Sequence, residues 1–311
     1  MKFNISPHFL HKTVRIPAIL AIAVFNAITG TGIAADTSPA PQAAASTAAG
    51  PVAGQPWTNS LGVKFVPAGT DGVLFSVWDV RVKDFKAFVD ATGYDATTGV
   101  VSMGSDGWKA RGETWKNPGF TQTEDHPVVA VSWNDAKAFC QWLTKKEQGE
   151  GKLAANQQYR LPTDAEWSKA VGLNESGEGT PASKNKKINV YPWGTTQWPP
   201  PKGAGNYPGS EAKDAKWPAR SEIIDGYEDA YPRTSPVGSF AANSHGLYDM
   251  GGNVWQWCED KYDTGDKVRV LRGGAYYTMD SDNAVSSFRG RYDSGGRMTG
   301  FGFRVVLAVS P

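Results

Sequence analysis

Hydrophobic positions between residues 56 and 311 switch repeatedly between two periods. Phe65–Ala68 and Val73–Val77 alternate apolar residues on either side of a Gly69–Gly72 turn, which predicts a pair of strands. From Val82 to Thr92 the spacing changes. Val82, Phe85, Phe88 and Val89 recur at three and four, predicting an amphipathic helix that ends at Gly93. Ser132 reads as an N-cap with Asp135 as its weaker box partner, opening a helix with Trp133, Ala136, Phe139, Cys140 and Leu143 on one face. Thr163 and Glu166 form a full capping box for another helix, with Trp167, Ala170 and Val171 turned inward. Between Leu173 and Tyr191 there is no apolar rhythm, so a surface loop is predicted. Tyr191–Pro236 is rich in Trp, Pro, Gly and acidic residues: irregular, yet aromatic enough to pack. In Gly246–Trp257, Trp255 and Trp257 alternate with Val254 and Gln256, predicting a strand with one buried face. Two buried indoles remove on the order of 200 Å² each from water, at about 25 cal/mol per Å², so this strand should organise the core. Few helices among many short, glycine-punctuated strands indicate a loop-rich α+β single domain.

The amino terminus follows a different grammar. Lys2, Lys12 and Arg15 precede the apolar run Ile16–Ile28, and small residues follow at Gly32, Ala34 and Ala35. Residues 1–35 therefore read as a secretory signal peptide cleaved near Ala34 or Ala35. An uncleaved anchor is the alternative, but the run is short of the roughly 20 residues a span needs. Residues 36–55, rich in Ala, Pro, Ser and Thr, read as a linker, and 56–311 as the folded domain. The expectation is an exported protein, periplasmic or extracellular, with no stable membrane span after cleavage.

Of 32 Lys and Arg, three lie in the leader, leaving 29 against 31 Asp and Glu. That balance offers no footprint for nucleic acid. Cys140 and Cys258 allow at most one disulfide, and His126 and His245 are too few for a multi-histidine metal centre. Each histidine reads as structural.

Several blocks carry a resemblance. Gly246–Trp257 (Gly-Leu-Tyr-Asp-Met-Gly-Gly-Asn-Val-Trp-Gln-Trp), Val270–Gly274 (Val-Leu-Arg-Gly-Gly) and Gly300–Arg304 (Gly-Phe-Gly-Phe-Arg) follow one another as in the sulfatase-modifying-factor family, whose founding member is the formylglycine-generating enzyme. Val82–Tyr94, Trp115–Phe120, His126–Trp133 and Tyr159–Trp167 are similar to further landmarks of that family. The resemblance implies the formylglycine-generating-enzyme variant of the C-type-lectin fold. It also implies two structural calcium sites: one on Asn206, Tyr207, Asp229 and Tyr231, another on Asp249, Gly252, Val254 and Gln256. Tyr207, Tyr231, Gly252 and Val254 would offer backbone oxygen, and Gln256 replaces a Glu common in the family. The founding enzyme oxidises a cysteine in a Cys-x-Pro-x-Arg context through copper(I) held by two thiolates. The matching positions here are Thr278 and Asn283, so no copper is expected, copper(I) being selected by soft thiolate. Cys140 resembles a family cysteine whose partner position is Val305 here.

The segment Tyr276–Arg297 is dense in aromatic and arginine side chains, a composition that recognition surfaces favour. Tyr276, Tyr277, Thr278, Asn283, Arg289, Arg291 and Tyr292 are the candidate ligand-binding residues, with Arg291 matching a family arginine near the peptide groove. Arg272 and Arg304 read as ties between strands through backbone carbonyls. Two functions follow. The first is a binding or accessory module that has lost the copper centre and takes a peptide, protein or glycan. The second is a sulfatase-maturing or periplasmic tailoring oxidoreductase working by another route.

Overall fold

A computed structural model describes residues 50–309 apart from 176, 215–216, 219–221 and 266. The leader and the linker as far as residue 49 lie outside the described residues. Pro51 already touches the domain: it is buried, and its carbonyl accepts the Gln157 side-chain amide at 2.8 Å.

The predicted strand pair is there. β1 (Trp57–Thr58), β2 (Lys64–Pro67) and β3 (Val73–Ser76) run antiparallel, with Val66 opposite Phe75. α1 (Val82–Thr92) ends at Gly93, whose φ of 67° is the left-handed cap that favours glycine. A hairpin follows, β4 (Val100–Gly104) and β5 (Gly107–Ala110). α2 (Trp133–Gly149) opens on a complete reciprocal box, so Asp135 serves as well as Glu there. β6 (Gln158–Arg160) leads to α3 (Asp164–Val171), capped by Thr163 and Glu166.

After a short helix, α4 (Pro181–Lys184), and a turn of 3-10 helix at Ser210–Ala212 come β7 (Trp255–Lys261), β8 (Val268–Arg272), the turn-long α5 (Ser281–Ala284) and β9 (Gly290–Asp293). Three short strands close it: β10 (Arg297–Met298), β11 (Phe301–Gly302) and β12 (Val306–Ala308). β12 returns between β3 and β6, giving one sheet in the order β1-β2-β3-β12-β6 and a second in the order β11-β7-β8-β9. β10 pairs with the β4–β5 hairpin. The result is α+β, as read.

One prediction needs correcting. Trp255, Gln256, Trp257 and Cys258 are all buried, so β7 has no solvent face over its first four residues. Its two tryptophans join the core of Phe85, Phe139, Trp115 and Phe303. Cys258 sits with Trp167, Phe75 and Val306 in a second core. β7 therefore stands between two packed layers. The two cysteines fall in different layers and are free, so the bridge left open by their number does not form.

The stretch read as a surface loop is also tied down. Ser287 donates its hydroxyl to the Ile188 carbonyl (2.6 Å) and accepts the Ile188 N–H (3.1 Å), while Ser286 N–H donates to Val190 O (2.7 Å). Residues 184–190 thus form a strap along 285–289. Much of the stretch is still exposed, as a surface loop should be, and its later residues bond back to the chain.

Candidate functional site

The seven candidate ligand residues do not share a surface. Thr278 is buried in a tight turn: its hydroxyl accepts the Ala275 N–H at 2.9 Å and its own N–H donates to Ala275 O at 2.8 Å. Tyr276 is buried too, edge-on to Phe120 at 5.8 Å and to Tyr277 at 5.1 Å. Tyr277, half-buried, meets Trp108 of β5 at 4.8 Å. Asn283, half-buried on α5, donates its amide to Asp280 at 3.1 Å. Tyr292 packs edge-on to Phe301, and Arg291 is exposed with its guanidinium over the Tyr262 ring at 4.7 Å.

Arg289 is the clearest departure. It is 1 % exposed and donates to Asp164 at 3.0 Å and to Glu175 at 2.7 Å. Arg272 also reaches Asp164, lies over Trp167 at 4.2 Å, and donates to Ser286 O at 2.7 Å. Burial alone would raise the Asp164 pKa, but Arg272 and then Arg289 outweigh it and hold the carboxyl below its ordinary value. Arg289 is a buried strut, not part of a recognition face. Neither Asp164 nor Glu175 was singled out from sequence; the only local hint was the acid directly after the Thr163 cap.

Copper(I) does not suit these residues. A hydroxyl and an amide occupy the matching positions, and both are hard donors. Burial pushes the Cys140 thiol up to about 12 and the Cys258 thiol well above its ordinary value, so neither supplies thiolate at neutral pH.

For calcium the two sets differ. The first is brought together: Asp229 accepts Tyr207 N–H at 2.7 Å on one oxygen and Tyr231 N–H at 2.9 Å on the other. A carboxylate has about four acceptor sites, so two remain. Asn206, fully buried, has an unpartnered side-chain oxygen. Burial raises the Asp229 pKa to about 7 despite those N–H donors. A hard cation would answer both features: it would pair the Asn206 oxygen and favour the Asp229 anion. These residues fit calcium.

The second set fits less well. Gln256 spends its side-chain oxygen on two donors, Trp167 Nε1 at 2.8 Å and Arg304 Nε at 2.9 Å, and donates its amide to Asp249 O at 2.7 Å. Asp249 keeps one oxygen unpartnered. Gly252, at φ 77°, must be glycine, because a Cβ there would lie 2.4 Å from Asn206 O. Val254 is buried in the same strand entry.

Beside this set sits an acid that no sequence motif marks. Asp79 is fully buried with both carboxylate oxygens unpartnered, 3.8 Å from Arg304 Nε. Burial raises its pKa to about 7, Arg304 opposing and Asp249 adding to the shift. An acid inside the apolar run Phe75–Val80 was the available signal. Arg304 itself ties carbonyls, as read: it donates to Ser76 O at 2.9 Å and Tyr248 O at 2.6 Å. His126 shares a hydrogen bond with the Thr234 hydroxyl (2.9 Å) and His245 with Ala170 O (3.2 Å), both local structural roles.

Comparison with known proteins agrees with the fold. The formylglycine-generating enzyme of Streptomyces coelicolor is 31% identical over 239 residues, covering 63% of this chain and 65% of that protein. The inactive C-alpha-formylglycine-generating enzyme 2 of Bos taurus is 32% identical over 184 residues, covering 57% of this chain and 48% of the relative. The chain thus spans under two thirds of either protein. The structure of PvdO from Pseudomonas aeruginosa superposes with a TM-score of 0.55 at 20% identity, over 83% of this chain and 99% of that one, a likeness of fold. Residues 71–309 match the sulfatase-modifying factor enzyme 1-like domain, and the chain belongs to that family.

Proposed function

We propose that this chain is an exported binding or accessory domain of its family, without the copper-dependent oxidation of its founding enzyme. One observation carries the reading: Thr278 and Asn283 give hydroxyl and amide where two thiolates would be needed, and each is already engaged with its own turn. Both thiols elsewhere are buried in separate cores. That relatives of similar identity include a protein named as inactive is consistent with it.

In this reading a peptide, protein or glycan meets the residues of Tyr276–Arg297 that reach solvent, Arg291 among them, with Tyr292, Tyr277 and Asn283 half-buried in the same segment. Tyr276, Thr278 and Arg289 hold that part in place. Calcium at Asn206 and Asp229 would brace the loop beneath, supplying charge balance and no chemistry.

Oxygen uptake with a Cys-x-Pro-x-Arg peptide, with and without copper(I), tests the reading. The native chain should show no copper-dependent uptake. Turnover by the native chain would overturn the binding reading in favour of an oxidoreductase of the same family. The double variant Thr278→Cys with Asn283→Cys shows whether copper binding alone restores uptake.

A further inference from the structure

A cleft of about 450 Å³ opens between the end of α3, the strap and the 240–251 loop, with Ser286 also in its lining. That volume lies within the roughly 300–1,000 Å³ of small-molecule sites. Trp193 and Phe240 stand in its walls, with Leu247 and Met250. Gly251 lets Pro192 and Tyr207 close in beside the cleft, since a Cβ there would strike Pro192 at 2.4 Å and the Tyr207 hydroxyl at 2.6 Å.

Three of its lining residues carry a buried polar atom with no hydrogen-bond partner: Asp249 Oδ1, Ser286 Oγ and Trp193 Nε1. Asp249 is 4 % and Ser286 3 % exposed. An unmade buried hydrogen bond costs about 1–3 kcal/mol, so each of the three would gain from a partner supplied by a ligand. Asp249 is the only charged side chain among the described residues that line it. Its sign opposes phosphate, sulfate or carboxylate ligands.

The three atoms also differ in kind. Asp249 accepts, Trp193 only donates, and Ser286 does either. An ammonium ligand would satisfy Asp249 and leave the indole N–H unpaired. A ligand with neighbouring hydroxyls supplies acceptor and donor together, and its ring C–H faces suit the walls of Trp193 and Phe240.

We infer that this cleft binds a neutral polyhydroxylated ligand, a mono- or disaccharide. Asp249 Oδ1, Ser286 Oγ and Trp193 Nε1 are its polar contacts, reached by the small side-chain rotations that accompany binding. This does not rest on the reading of Tyr276–Arg297.

Ligand-observed NMR on the full chain in EDTA tests it, with glucose, galactose, mannose, N-acetylglucosamine and cellobiose as probes. Glucuronate and benzylamine are the charged controls, and EDTA removes any cation from Asp249. At least one neutral sugar should bind saturably, with glucuronate weaker than glucose. Ala242→Trp, at the exposed rim, should abolish binding while leaving the thermal melt unchanged. Ser286→Ala should weaken it by about two- to tenfold, the worth of one hydrogen bond. Binding by none of the sugars, preference for benzylamine, or sugar binding that survives both substitutions would each overturn the assignment.

Discussion

Arg289 carries a full positive charge in a place water does not reach, and its stability depends on partners far away in sequence. Asp164 lies 125 residues upstream and Glu175 114. The carboxylate of Asp164 serves two guanidiniums at once, Arg272 and Arg289. Removing it would take the carboxylate from Arg272 and leave Arg289 with Glu175 alone. Asp164→Asn should destabilise the fold by about 3–5 kcal/mol in urea denaturation, the cost of leaving buried charge uncompensated. The same group sets an acid limb. Its pKa is lower folded than unfolded, so its contribution is in place above about pH 4 and is lost as pH falls through the folded value. The variant should therefore show a flatter loss of stability below about pH 4 than the native chain. A variant no less stable than the native chain would mean that the pair of arginines is compensated elsewhere. The arginine was misread from sequence because its composition resembles a recognition surface, and nothing local announces a carboxylate arriving from another helix.

At the scale of elements, the capping residues were legible because their chemistry closes within four positions. Ser132 with Asp135 and Thr163 with Glu166 each satisfy their own helix start. The strap was not legible, since its partners on 285–289 are about a hundred residues away. Ser287 holds it with one hydroxyl that both donates and accepts. Ser287→Ala should cost about 1–3 kcal/mol by leaving Ile188 N–H and C=O unpaired. Limited proteolysis should then cut first within 173–190. Equal protease resistance in native chain and variant would show that the strap is held by its other contacts. The loop holding Asn206 and Asp229 invites a separate measurement. Calcium at about 100 times its Kd should add about 2.7 kcal/mol to folding stability. Asp229→Ala should remove both that gain and the calorimetric binding heat. Heat unchanged in the variant would take the cation away from this loop.

The whole molecule turns on β7, where the two cores and the buried charges meet. Alternation of Trp255 and Trp257 was enough to place a strand and one face, and the glycine-bracketed motifs were enough to place the fold. What alternation could not reveal was that Gln256 is buried as deeply as its neighbours, by Trp167 from α3 and Arg304 from the turn before β12. The amide suits this position because it does two things at once. Its oxygen accepts from the indole and the guanidinium, and its nitrogen donates to Asp249 O. A glutamate, common at this position in the family, would keep the first function and lose the second. It would also add a third carboxylate near Asp79 and Asp249, of which Asp79 already titrates at about 7 through burial. Arg304 alone cannot balance three. Gln256→Glu should accordingly lower the thermal midpoint in EDTA by on the order of 10 °C, taking about 3 kcal/mol for an uncompensated buried charge at about 2–4 °C per kcal/mol. If the second oxygen set can accept calcium once that charge is present, added calcium should restore most of the loss in the variant, and more than it raises the native midpoint. A variant as stable as the native chain in EDTA would mean that Arg304 accommodates the extra acid. The amide at 256 would then be an incidental replacement rather than a residue on which this core depends.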